Sequence, residues 1–339
     1  MLIRFFAEKS MKVKNLNFLL TYKCPSQCRH CCYFCRLERG GMMTAQDVKR
    51  YLAELRGHPL ESVWIYGGEP FLYPGVLAEV IKISKRKGIA QIGVLTNGYW
   101  ATSPSAGLRK LSPLKQAGLN AIIISTDGLH AEAVSPDLAI NAIRAALKMG
   151  FKKVIASVAF IPPRKLSNPI NDRSEEIWAK LKGNPHLLLE ENPVVFIGRA
   201  AQELSDYCQP KKLKAAQKCK PPSYIGGSFD EPQGLEIDPY GWVMICPGFS
   251  LGNAQKQPLA KLVEQYGNSG NTLWSIFCSH GPAGLLNLAQ EKGYHQRALY
   301  ASDCHLCYEV RKFLQPYYPE YLAPAGCYNE ISRKRQRVR

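Results

Sequence analysis

No hydrophobic run in this 339-residue sequence approaches the roughly 20 residues needed to cross a bilayer. Residues 1–14, read as an N-terminal extension, lack the apolar stretch and small-residue cleavage site of a secretory signal. Acidic side chains are scarce, with 27 Asp and Glu against 44 Lys and Arg, a formal net charge of +17. There is no long low-complexity tract and no internal repeat beyond an alternation of strand-like and helix-like segments. These absences exclude a membrane-spanning or exported class and predict a cytoplasmic, globular protein with no membrane partner.

Cysteine, by contrast, is plentiful. Twelve cysteines in a chain expected to stay in a reducing compartment point to metal ligation rather than disulfides. They also point to a cell that keeps oxygen away from exposed thiols. The excess positive charge gathers at Lys85-Arg86-Lys87, at Lys211, Lys212, Lys214, Lys218 and Lys220, and from Arg333 to Arg339. Such charge attracts nucleic acid or acidic peptides. A solvated helix face and a basic tail account for it more simply, so nucleic acid is not the favoured partner.

Strand patterns fall at residues 15–22, 62–66, 91–96, 121–125, 154–160 and 194–197, rich in β-branched or bulky apolar residues. Helical patterns fall between them at 45–56, 76–87, 105–117, 138–149 and 174–181. Thr44 with Asp47 predicts an N-cap pair at the first helix. Strands alternating with helices imply a parallel α/β sheet. Six such units are too few for an eight-fold barrel, so a partial (β/α)6 barrel is expected over 15–200, its active site at the strand C-terminal ends. After residue 200 the chain turns rich in Pro, Gly and Lys and carries seven more cysteines. A small cluster-binding domain is expected over 201–326 and a basic tail over 327–339.

The first strand runs into Cys24-x-x-x-Cys28-x-x-Cys31. Three thiolates can hold three irons of a four-iron cluster and leave the fourth open, as a catalytic metal site requires. A structural zinc site is the alternative, because Cys28-x-x-Cys31 and Cys32-x-x-Cys35 supply four thiolates. The second strand leads into Gly67-Gly68-Glu69-Pro70, the third into Thr96-Asn97-Gly98, and the fourth into Ser125-Thr126-Asp127-Gly128. Each is also ordinary turn chemistry. The sixth ends at Ile197-Gly198-Arg199-Ala200. In the C-terminal region, residues 235–237 and 242–245 predict a hairpin leading to Cys246, and Cys304-x-x-Cys307 precedes a helical run ending near Leu314.

Together these features resemble the radical S-adenosylmethionine (SAM) enzymes with a C-terminal auxiliary cluster domain of the SPASM or twitch type. The resemblance implies a SAM-binding [4Fe-4S] cluster on Cys24, Cys28 and Cys31. It implies a second [4Fe-4S] cluster on Cys219, Cys246, Cys304 and Cys307, with Cys208 the substitute for Cys219 and zinc the alternative metal. It places the SAM amino group against Gly67, Gly68, Glu69 and Pro70. Thr96, Asn97, Ser125, Asp127 and Ser157 would hold ribose and carboxylate, with Ile197 and Arg199 near adenine. His30 would be a packing residue beside adenine. Cys32 and Cys35 are either incidental thiols or redox-active gates beside the open iron, and Cys278 and Cys327 are incidental.

The implied chemistry is reductive cleavage of SAM to a 5′-deoxyadenosyl radical, fed by a reductant such as flavodoxin or ferredoxin, and hydrogen abstraction from a substrate C–H. The expected outcome is oxidation or cross-linking of a peptide or protein. Dehydrogenation of a small molecule, modification of RNA, and a non-catalytic iron–sulfur or zinc module are the alternatives. Asp127, His130 and Glu132 are catalytic candidates by position alone. No leader-binding domain precedes the first strand, which weakens the peptide version. The chain does not end in Gly-Gly, which tells against the molybdopterin-forming relatives.

Overall fold

The computed structural model describes residues 11–266 and 273–329. Most of the N-terminal extension and the basic run from residue 333 lie outside the described residues. Six parallel strands carry the first part of the chain: β1 (Asn15–Thr21), β2 (Ser62–Gly67), β3 (Gln91–Thr96), β4 (Ala121–Ser125), β5 (Lys153–Phe160) and β6 (Leu188–Pro193). Helices α1 (Ala45–Glu54), α2 (Pro74–Arg86), α3 (Pro104–Ala117), α4 (Gly128–Ala131), α5 (Pro136–Lys148) and α6 (Pro169–Leu181) make the crossovers. Parallel strands need such helical returns, and these bury one face of the sheet. On α5, Ala139, Ile140, Ala142, Ile143 and Ala146 form that buried face. The cap anticipated at α1 is present, with Thr44 Oγ1 accepting from the Asp47 amide at 3.1 Å and the Asp47 carboxylate accepting from the Thr44 amide at 3.1 Å.

The sixth strand differs from expectation. Pairing to β5 runs over Leu188–Pro193, six residues ahead of the apolar run 194–197. Its residues, LLEENP, alternate poorly because β6 is an edge strand with one flank open to water. Val194 only closes the end of the ladder, its amide donating to the Phe160 carbonyl at 2.8 Å. Residues 195–198 then lead to the short helix α7 (Arg199–Glu203).

The C-terminal region extends the same sheet. The strand β7 (Gly234–Ile237) pairs parallel with β1, and β8 (Trp242–Cys246) and β9 (Phe249–Asn253) follow antiparallel. The order β6-β5-β4-β3-β2-β1-β7-β8-β9 leaves the sheet open, a partial barrel. The anticipated hairpin is therefore present, and it is stitched to the barrel's first strand. Helices α8 (Leu259–Glu264), α9 (Leu273–Glu291) and α10 (Asp303–Leu314) complete the described fold. No helix among the described residues is long and apolar enough to cross a membrane.

Candidate functional site

The parallel strands all end on one side of the sheet, and there the loop from Tyr22 to Met43 folds back over β1. Backbone bonds close it: Arg36 N–H to Tyr22 O at 3.3 Å, Cys24 N–H to Arg36 O at 3.2 Å and Met43 N–H to Leu20 O at 2.8 Å. Cys24 and Cys28 are buried, Cys31 partly so. Burial pushes the Cys24 thiol up to about 12 and raises Cys28, and the charge of Cys31 adds to both shifts. Cys31 is brought down to about 6, chiefly by its hydrogen bond with Cys35. The three thiols thus feel one another's charge, the arrangement a shared metal group would relieve by taking the protons' place. Cys32 lines the central cavity. Three converging soft donors fit an iron–sulfur cluster with one iron left open.

The residues around this loop have specific jobs. Arg199 is 3% exposed, and its guanidinium donates to the carbonyls of Cys28 at 2.8 Å and Cys35 at 3.2 Å. Its amide donates to the Cys31 carbonyl at 3.0 Å. Gly198, at φ +57°, comes so close that a Cβ would stand 2.5 Å from the Cys32 carbonyl. The Gly-Arg pair therefore clamps the cysteine loop. Gly68 plays a matching part on the other side, where a Cβ would meet the Lys23 carbonyl at 2.0 Å. The Gly68 amide donates to Thr21 O at 2.6 Å and the Glu69 amide to Lys23 O at 2.9 Å.

Glu69 is fully buried, and its carboxylate accepts from Phe71 N–H at 3.0 Å, Thr96 Oγ1 at 2.8 Å and Asn97 N–H at 2.9 Å. Burial pushes it up to about 7 against those three donors. With its side chain bracing β2 to β3, the backbone carbonyls of this turn are what remain to face an ammonium group. Pro70 begins the short 3-10 turn that follows. Asn97 Nδ2 donates to Ser26 Oγ at 3.0 Å and lies 4.0 Å from Cys24 Sγ, so it borders the cysteine loop directly.

At the end of β4, Asp127 caps α4 by accepting from the His130 amide at 2.9 Å, and it pairs with the His130 ring at 2.9 Å. Burial raises Asp127, and the nearby His130 charge overcomes that and brings it down to about 2. The His30 ring stands 4.7 Å from that of His130, and His30 Nδ1 is buried without a hydrogen-bond partner. Donor atoms of His30, Asp127 and His130 lie within 4.8 Å of one another. An unfilled polar atom beside the cysteine loop is what a pocket awaiting a polar ligand presents. Ser125 and Ile197 are each 6% exposed, and Ser157 Oγ accepts from Asn192 at 3.1 Å. Glu132 stands apart, in a half-exposed pair with Arg29 at 3.2 Å that tethers the cysteine loop to α4.

A cavity of about 800 Å³ runs from this loop into the C-terminal region. Cys32, Tyr33, Trp64 and Tyr66 line it together with Cys219, Cys246, Cys304 and Cys307 and with Phe229, Phe249 and Phe277. The four C-terminal cysteines come from a loop, the end of β8 and the first turns of α10. Cys246 is half-buried, and burial lifts it to about 12, whereas Cys219 and Cys304 are exposed at the cavity. Cys219 interacts electrostatically with Cys307 and Cys246, which places it with this set. Cys208 is elsewhere, donating to the Pro162 carbonyl at 3.0 Å in a separate apolar cluster. Cys278 donates to the Phe229 carbonyl at 3.4 Å.

One carboxylate in this region escaped sequence reading. Glu236 on β7 is 1% exposed, and its oxygens accept from Tyr33 Oη at 2.7 and 2.6 Å and from Tyr66 Oη. Tyr224 supplies a third hydroxyl. Burial pushes Glu236 up to about 7 against those donors. Its sequence context, LEID, looks like any alternating strand. Only the parallel pairing of β7 to β1 turns it inward.

A sequence model of the radical SAM superfamily matches residues 18–165. The GTP 3′,8-cyclase of Aquifex aeolicus (strain VF5) is 28% identical over 161 residues, 44% of this chain and 48% of that protein. The chain thus spans about half the length of that relative. A probable GTP 3′,8-cyclase of Saccharolobus islandicus (strain L.S.2.15 / Lassen #1) is 25% identical over 260 residues, 70% of this chain and 78% of that protein. Among solved structures, anSMEcpe with bound AdoMet covers 91% of this chain and 97% of its own at TM-score 0.51 and 12% identity, a likeness of fold. The cysteine loop and the Gly-Gly-Glu-Pro turn lie within the matched span, and residues 18–165 of this chain match the radical SAM superfamily.

Proposed function

We propose that this protein is a radical SAM enzyme that oxidises or cross-links a peptide or protein side chain inserted into the cavity between its two cysteine sets. The observation that carries this reading is the continuity of that cavity from Cys32 to Cys219, Cys246, Cys304 and Cys307. When bound, a [4Fe-4S] cluster on Cys24, Cys28 and Cys31 with SAM supplies a 5′-deoxyadenosyl radical, and a second cluster supplies an electron acceptor. The chain's own part is positioning. Arg199, Gly198 and Gly68 hold the cysteine loop against β1 and β2. Asn97, Ser125, Ser157 and Asp127 offer hydrogen-bonding groups at the strand ends for ribose and carboxylate. Ile197 offers apolar surface for adenine. Trp64, Tyr66, Phe229, Phe249 and Phe277 exclude water from the cavity, which suits a radical.

A small anionic substrate is the second reading. Lys153, Lys218, Lys220 and Arg311 line the cavity against two carboxylates, Glu190 and Asp303. The similarity to GTP 3′,8-cyclases points the same way. One experiment separates the two. Anaerobically reconstituted protein is given dithionite, SAM and either a deuterated peptide digest or deuterated GTP. Deuterium appearing in 5′-deoxyadenosine with the peptides supports the first reading, and with GTP the second. Zinc in place of iron, with no SAM cleavage, would overturn both.

A further inference from the structure

Arg311 is among the largest side chains of the described residues to be fully buried, at 1% exposure, and the two-cluster reading gives it no role. It lies on α10 at the i, i+3, i+7 face begun by Cys304 and Cys307. One guanidinium nitrogen donates to the Pro247 carbonyl at 2.9 Å and to Tyr328 Oη at 3.4 Å. Pro247 directly follows Cys246, so Arg311 ties the hairpin cysteine to the helix cysteines. The group also stands 6.0 Å from the Phe249 ring centre and 5.8 Å from that of Tyr328. Its Nε is buried with no hydrogen-bond partner.

Among the described residues no carboxylate forms an ion pair with Arg311. Arg311 lines the same cavity as Cys219, Cys246, Cys304 and Cys307. A buried cation without a carboxylate is costly unless another anion faces it. Four thiolates around a 2+ cluster core carry a net charge of about −2, and one-electron reduction deepens it. A fixed cation beside them stabilises the reduced form more than the oxidised form.

We propose that Arg311 is the counter-charge of the auxiliary cluster and raises its reduction potential, a positioning and tuning role resting on the two-cluster reading above. The unpartnered Nε is the donor left over for a cluster sulfur. Tuning through buried charge and hydrogen bonds to sulfur is a general lever on such clusters.

The test uses the full chain with Cys24, Cys28 and Cys31 changed to Ala, so that one cluster is read by EPR during a redox titration. Arg311→Gln is expected to lower the reduction equilibrium about tenfold, about 59 mV for a one-electron couple. Arg311→Lys keeps the charge and is expected to restore most of it. Iron lost from Arg311→Gln and kept in Arg311→Lys supports the role as well. An unchanged potential in an iron-replete Arg311→Gln overturns the proposal. So does equal behaviour of the two variants, because that leaves only a geometric clamp. If the parent triple variant binds no iron before Arg311 is touched, the auxiliary-cluster reading falls first and the proposal with it.

Discussion

The N-terminal cysteines sit within eight positions of one another on one loop, while the C-terminal four are gathered from three elements spread over 89 positions, from Cys219 to Cys307. The first set is held from outside. Arg199 grips the loop carbonyls, and Gly68 and Gly198 let neighbouring backbones press against it. The second set is held from within, by Arg311 reaching from its own helix to the hairpin. The first set thus meets a guanidinium at its backbone carbonyls, whereas the second lines one cavity with a guanidinium. That difference matches the two roles proposed above, a ligand bound at iron in the first set and charge held in the second.

Removing single ligands should break the comparison most sharply. Cys28→Ala is expected to reduce 5′-deoxyadenosine formation to background, whereas Cys246→Ala should preserve SAM cleavage and lower iron from about eight to about four per chain. Anaerobic iron analysis with product quantitation decides it. Equal loss in both variants would mean the two sets fold as one unit.

Arg199→Ala should come next. It strips donors from two buried carbonyls, at a cost of about 4 kcal/mol from two charged hydrogen bonds. Denaturant unfolding should show that loss, and iron should leave the N-terminal set while the C-terminal set keeps its own.

Glu236 lies where the C-terminal strands join β1, and its effect depends on pH. Its ordinary value near 4.5 is raised to about 7 by burial, against the hydroxyls of Tyr33, Tyr66 and Tyr224 and with Asp238 adding to the rise. The folded state then holds a proton that the unfolded state has released. Stability from this group is full below about 4.5 and is lost as pH rises through about 7. Glu236→Gln should flatten that fall, gaining up to about 3 kcal/mol on the parent protein between pH 5 and pH 8. Parallel slopes for the two proteins would place the titration elsewhere. A loss of the same size is expected from Gly68→Ala, about 3 kcal/mol of overpacking against the Lys23 backbone, felt in the N-terminal set alone. Differential scanning of the two variants checks it.

Legibility followed sequence distance. Five of the six barrel strands and the cap at Thr44 were readable because apolar periodicity and short-range side-chain bonds are local. The sixth strand was misplaced because β6 is an edge strand whose polar residues take their conformation from β5. Glu69 stands out in the sequence but its three-way brace does not, since Phe71, Thr96 and Asn97 converge only after β2 and β3 pair. Arg311 could have been noticed from its helical spacing after Cys304 and Cys307. What hid it was the absence of any local sign that the face is buried.

The sequence alone determined the chemistry of the donors. Three cysteines on one short loop cannot be carried far apart, because the seven residue steps from Cys24 to Cys31 reach at most about 25 Å even when extended. Which distant thiols join a second set was decided only by tertiary structure. Cys219 stands with Cys246, Cys304 and Cys307, and Cys208 does not, because β7 adds to β1 and carries the hairpin toward α10. Long-range pairing of strands is a collective choice of packing, and no local run of residues encodes it.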